Sequence, residues 1–258
     1  MFHPSTTSTA VFGLDPLWYA GSLFVICYLL IMTDRLNRAI IAMLGAGLMV
    51  FGGILTQEAA LKGIDFNTLG LLTGMMIIVA ITRQSGIFEF LAIWSVKKVN
   101  ANPWWILVVL VLVTAILSAL LDNVTTVLLI APVTLLITDA LKISAYPYLF
   151  AEIFAANVGG TATLIGDPPN IMIGSAVGLG FNDFIFNLAP LVLFLLPMTL
   201  LPIYLIWGRK LTASVADRER VMKYREADAI TDKHLLWQSM LVLGLVITGF
   251  AFSHHIQQ

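Results

Sequence analysis

The sequence predicts an all-α polytopic membrane protein with about six to seven spans, a re-entrant helical hairpin and a broken helix. Three observations carry that expectation. Hydrophobic residues make up 59% of the 258 and charged residues only 11%, where a soluble domain carries about a quarter charged residues. Eight apolar segments approach the ~20 residues needed to cross ~30 Å of hydrocarbon. Two of those regions are interrupted by clusters of Asp, Asn, Thr and Gly.

The same composition excludes a disordered chain, a collagen and a nucleic-acid binder. The balance of 14 Lys+Arg against 15 Asp+Glu provides no basic field for phosphates. The single cysteine, Cys27, excludes a disulfide framework and a Cys-based zinc site, and suits a small apolar core position. His3, His234, His254 and His255 fall in loops or ends without metal-ligand spacing.

After a tail at 1–13, the apolar segments run 14–33, 39–55, 66–82, 104–121, 124–139, 148–176, 188–207 and 235–252. The first lacks a cationic start and a cleavage site, so it is a retained helix rather than a signal peptide. Residues 87–96, followed by Lys97 and Lys98, are apolar but too short to span, and suit an interfacial helix. Residues 209–235 hold 12 of the 29 charged residues, which suits a solvated cytoplasmic linker with a helical patch. With the N-terminus outside, Arg35, Arg38, Arg83, Lys97, Lys98, Lys142 and the seven cations of 209–233 fall inside; only Lys62 falls outside. That count requires 104–139 to return to its starting side and 148–176 to cross once.

The first interruption is Asp122-Asn123-Val124-Thr125-Thr126, between two apolar arms. Two arrangements satisfy the charge count: both arms cross, or they form a re-entrant hairpin with its tip near the midplane. The pentad lacks the Gly or Pro of a plain exposed turn. Its acid, amide and hydroxyls are hard oxygen ligands for Na⁺ or partners for a polar solute, and irregular backbone at depth belongs beside a cavity. The hairpin is therefore favoured.

The second interruption is Asn157-Val158-Gly159-Gly160-Thr161-Ala162-Thr163. As one helix, the 29 residues of 148–176 would measure about 43 Å, so a break is expected. Gly159 and Gly160 supply flexibility, and the half-helix ends suit ions. Next comes Gly166-Asp167-Pro168-Pro169-Asn170, where Asp167 either caps a new helix or lines the solute path. Glu152 is the remaining acid at depth, a candidate for proton or ion coupling or for a bond between helices.

The run Leu121-Asp122-Asn123-Val124-Thr125-Thr126-Val127-Leu128-Leu129, followed by Ala131-Pro132, resembles the hairpin tip of the ion transporter superfamily. Ala151-Glu152-Ile153 and the run from Asn157 to Asn170 are similar to its arsenite-permease and P-protein branch. The likeness implies a secondary transporter built from two inverted repeats, each with a hairpin and a broken helix whose meeting point holds ion and solute. It divides the chain into a first repeat (14–208, with hairpin 104–139 and broken helix 148–176), a linker (209–235) and the first span of an incomplete second repeat (236–258). It implies solute or ion contacts from Asp122, Asn123, Thr125, Thr126, Asn157, Gly159, Gly160, Thr161, Thr163, Asp167 and Asn170, with Na⁺ at Asn123, Thr125 and Asn157. Asp122 stands where the dicarboxylate carriers have Ser, which leans towards the arsenite-permease-like branch.

The expected partners are the bilayer, a small ion or anion, a second copy, and a second half-transporter polypeptide, because family members run far longer and this chain looks like a fragment. A Na⁺/H⁺ antiporter and a Na⁺-coupled citrate-like carrier are the alternatives within the class, and an ion channel is the alternative outside it. No cofactor beyond coupling Na⁺ or H⁺ is implied. The sequence has no His-Glu-x-x-His or Gly-x-Ser-x-Gly motif, so an enzyme is not expected.

Overall fold

The computed structural model describes residues 15–256, with side chains through Phe252. The tail at 1–13 with His3, and the side chains of His254 and His255, lie outside the described residues. The chain forms two compact units, residues 1–66 and 67–258. All regular structure among the described residues is helical.

In the first unit, α1 (Pro16–Met32) starts where the Asp15 carboxylate accepts the Leu17 amide at 2.9 Å, with proline in the first turn. α2 (Arg38–Phe51) runs back beside it. Tyr19 Oη donates to Leu48 O at 3.3 Å, and Cys27 Sγ lies 4.0 Å from Ile41 O. Cys27 packs on Gly45, where a Cβ would come within 2.6 Å of its sulfur. α2 stops at Phe51, short of residue 55, because Gly53 turns the chain at φ +69°. A short α3 (Gln57–Lys62) follows, capped by the Thr56 hydroxyl. Phe24, Met43 and Phe51 point outward and are exposed, as lipid-facing side chains are.

The second unit comprises α4 (Phe66–Arg83), α5 (Ile87–Lys98), α6 (Pro103–Leu120), α7 (Asn123–Ala140), α8 (Tyr146–Gly160), α9 (Pro168–Val177), α10 (Phe181–Ile206), α11 (Val215–Met222) and α12 (Lys233–Ile256). Among the described residues, α4, α6, α7, α10 and α12 are long and apolar enough to cross a membrane, and α1 and α2 are shorter apolar helices. The chain is an all-α polytopic membrane protein.

Its core is the bundle of α6, α7 and α8. Ile106, Leu107, Leu110, Ile130, Ile137 and Tyr148 are fully buried there. α6 and α8 rise side by side from a common base, where Tyr148 Oη donates to Pro103 O at 2.8 Å. The end of α10 closes that base with rings. Trp104 and Tyr204 lie 4.8 Å apart edge to face, and Trp207 packs on Tyr146 and Phe150 at 5.8 and 5.6 Å. Such a cluster suits a membrane interface.

One boundary changes. α10 begins at Phe181 rather than 188, because the Asp183 carboxylate accepts the Gly180 amide at 2.8 Å and stabilises the start; it contains Pro190, Pro197 and Pro202. α5 buries one face, with Phe88, Ala92, Ser95 and Val96 against the bundle, and leaves Trp94 exposed under the Lys98 ammonium. The charged segment after α10 contains the short helix α11; most of its charged side chains are exposed, while Asp217 and Val221 are buried against the bundle's base.

Candidate functional site

The far end of the bundle brings the two polar sequences together. Asn123 Nδ2 donates to Asn157 Oδ1 at 3.2 Å, joining residues 34 positions apart. The rest of the geometry explains why these two amides meet.

α6 ends at Leu120, and only Leu121 and Asp122 separate it from α7. The Asp122 carboxylate accepts the Thr125 amide at 2.8 Å and its carbonyl accepts the Thr126 hydroxyl at 2.9 Å, a helix N-cap. The pentad is therefore not an extended non-helical stretch. Asp122 is the cap, and Asn123–Thr126 are the first turn of α7, which makes the second arm 18 residues rather than 16.

The break in the second sequence also lies later than expected. Asn157, Gly159 and Gly160 belong to α8, and the irregular stretch runs from Thr161 to Asp167. The two glycines provide room rather than flexibility. A Cβ on Gly159 would come within 2.6 Å of Ala115 Cα and collide with its carbonyl oxygen; one on Gly160 would meet Gly166 O at 2.7 Å. Gly166 is equally confined, since a Cβ there would stand 2.5 Å from Gly160 O and Ser118 O. Three backbones thus pass at contact distance, which requires residues without side chains.

Side chains then stitch the irregular stretch in place. Ser118 Oγ donates to Ala156 O at 2.6 Å, binding α6 to α8. The Thr163 hydroxyl donates to Ala119 O and accepts the Gly166 amide. Asn170 Nδ2 donates to Thr163 O at 2.9 Å and Gly160 O at 3.3 Å, closing the loop onto α9. The Thr161 hydroxyl returns to Val158 O at 2.7 Å.

The candidate residues therefore fall into two groups. Thr126, Thr163 and Asn170 are buried, and with Gly159 and Gly160 they build the backbone path. Asn123 and Thr125 are half-buried, and Asn157 and Thr161 are exposed, so they line the open side of the junction. Asp167 stands at the N-cap position of α9, but its side chain makes no capping bond. Its carboxylate interacts electrostatically with that of Asp122. The open side thus presents amide and hydroxyl oxygens beside two carboxylates, a set suited to a hard cation. No group of three or more His, Cys, Asp or Glu among the described residues forms a metal-binding cluster.

Glu152 lies away from this opening. It is 1% exposed, and its Oε1 accepts the Thr134 hydroxyl at 2.5 Å, bridging α8 to α7. Its Oε2 has no hydrogen-bond partner. Ser118, Ala115 and Thr134 are the contributors that the sequence reasoning missed. Ser118 lies one turn before Asp122 in an arm whose other polar residue is Thr114, which is the signal the sequence offers; Ala115 and Thr134 carry no local mark.

The citrate transporter family, CitMHS, matches residues 28–257. An uncharacterised transporter of Mycobacterium tuberculosis (strain CDC 1551 / Oshkosh) is 48% identical over 238 residues, covering 90% of this chain and 55% of the relative. The 46 kDa membrane protein of Mycobacterium leprae is 47% identical over 240 residues, again covering 90% and 55%. The human P protein is 40% identical over 195 residues, covering 71% of this chain and 23% of its own length. The chain spans about half the length of the mycobacterial relatives it matches. The chain belongs to the citrate transporter family of the ion transporter superfamily.

Proposed function

We propose that this chain forms one repeat of an ion-coupled secondary carrier in a bacterial-type plasma membrane, and that the Asn123–Asn157 junction binds the coupling ion or solute. The observation carrying this is the 3.2 Å amide contact between hairpin tip and broken helix. Asn123, Thr125, Asn157 and Thr161 supply neutral oxygens, and Asp122 and Asp167 supply the charge that favours Na⁺ or H⁺ over an anion at that point. The family's description makes citrate the first solute to test, ahead of arsenite and other small anions. No covalent step is needed.

The polar residues at the turn between α6 and α7 support a re-entrant hairpin. α10, at 26 residues, is about 39 Å long, whereas the 18-residue arms of α6 and α7 are about 27 Å. At the start of α10, Phe181 packs with Ile165 and Met75. The tip would then sit inside the membrane, with the bundle's base on the cytoplasmic side and the N-terminus outside. A second repeat, in the same or another polypeptide, would supply the opposite wall, and a second copy would supply a scaffold.

The test is uptake and efflux by the full-length gene product in proteoliposomes, with Na⁺ and pH gradients varied. Asn123→Ala and Asn157→Ala should each reduce flux while the protein remains folded. Normal flux in both variants would remove the site from this junction.

A further inference from the structure

Residues 208–232 carry many of the chain's charges, and Asp217, Arg218, Arg220 and Glu226 have partners in the bundle. Helix C-termini leave backbone carbonyls without intrahelical donors, and cations are favoured there. Arg218 donates to Asn100 O from Nη2 at 2.8 Å and from Nε at 3.3 Å, just past the end of α5. Arg220 reaches Ala140 O, the last carbonyl of α7, at 3.5 Å. Asp217, accepting the Ser214 hydroxyl at 2.6 Å, lies 3.4 Å from Lys142. Lys97, near the end of α5, donates to Tyr224 O at 3.3 Å and to Glu226 at 2.5 Å. Finally Thr231 takes two carbonyls just past the end of α4: its amide donates to Ser85 O at 3.1 Å and its hydroxyl to Gln84 O at 2.5 Å.

Two steric features agree. Val221 is 1% exposed and belongs to the bundle core. Gly86, at φ +79°, has the Ala229 carbonyl where a Cβ would stand, so the segment lies directly on the α4–α5 corner.

We infer that residues 208–232 are a strap that ties the ends of α4, α5 and α7 together at the base of the hairpin, making α4 to α8 one mechanical body. This does not rest on the transport reading. It follows from donors placed on carbonyls at or just past the ends of three separate helices.

Limited trypsin digestion of the full chain in detergent micelles tests it, because Arg218, Arg220, Lys223 and Arg225 are cleavage sites within the strap. Cleavage there should be at least about tenfold slower than in the same protein unfolded by denaturant, since proteolysis follows the opened population. Lys97→Met keeps the apolar stem but loses the contacts to Tyr224 and Glu226, and should speed cleavage at Lys223 and Arg225. Val221→Ser should speed it at Arg218 and Arg220. Native cleavage as fast as in denaturant would overturn the inference, as would unchanged rates in both variants.

Discussion

The two ends of the α6–α8 bundle solve one problem, stray backbone polar groups, with different chemistry. At the tip, Ser118, Thr163 and Asn170 satisfy carbonyls with hydroxyl and amide donors. At the base, Arg218, Arg220 and Lys97 do so with full charges. A cation in hydrocarbon is costly, whereas near the interface it keeps its hydration while capping a helix end. The tip also relies on glycine contacts between backbones, while the base relies on long side chains that can adjust. The contrast predicts that the tip tolerates little change in volume, and that the base responds to charge and pH.

The largest expected effect is at Gly159. Gly159→Val forces a branched side chain into the Ala115 backbone, and overpacking of this kind costs about 1–3 kcal/mol or more. Thermal unfolding of the purified protein should show it, and an unchanged midpoint would mean that the helices can separate there. Next is Asn157→Ala. Its side chain is exposed, so stability should move by no more than about 0.5 kcal/mol, while flux should fall about tenfold or more if one ion ligand is lost. A large loss of stability instead would recast the amide pair as a structural clip.

The pH prediction concerns only the base. The Ser214 hydroxyl, with Lys142 and Arg220, holds Asp217 below the usual carboxylate range, and Lys97 does the same for Glu226. A depressed folded-state pKa stabilises above the unfolded value, about 4 for these acids, and the contribution fades as pH falls through the lower folded value. Hydrogen exchange, corrected for intrinsic rates, should therefore show the strap loosening only below about pH 4 while tip amides keep their protection. Loosening between pH 6 and 8 would contradict the assigned partners.

The smallest effect separates real caps from surface charge. Arg225 and Asp228, 3.7 Å apart with side chains 77% and 65% exposed, form a solvated pair. Arg225→Ala should leave strap exchange within error of wild type. An effect as large as that of Lys97→Met would mean that strap charges act collectively rather than through individual carbonyls.

The pattern of these interactions explains what could be read from sequence. Spans follow from local hydropathy, and the hairpin and broken helix from polar residues where apolar ones are expected. Their boundaries are not legible, because Asp122 and Asn123 look like a break, though a capping acid and a first-turn amide have the same composition. Gly159-Gly160 suggested a flexible joint, because sequence does not reveal that Ala115 occupies the missing side-chain volume. The strap was hidden more deeply. Its charges suggest a solvated segment, and most are exposed, but Arg218 and Arg220 reach carbonyls of Asn100 and Ala140, 118 and 80 residues away, which leave no mark in composition.

The central claim is that the hairpin tip and the broken helix meet within the membrane. Asn123→Cys with Asn157→Cys, in a Cys27→Ser background, addresses it directly in native membranes. The account predicts that mild oxidation joins the pair in a disulfide and that a membrane-impermeant thiol reagent labels them poorly from both sides in the resting state. Two cysteines that stay reduced and label rapidly from opposite faces would contradict it.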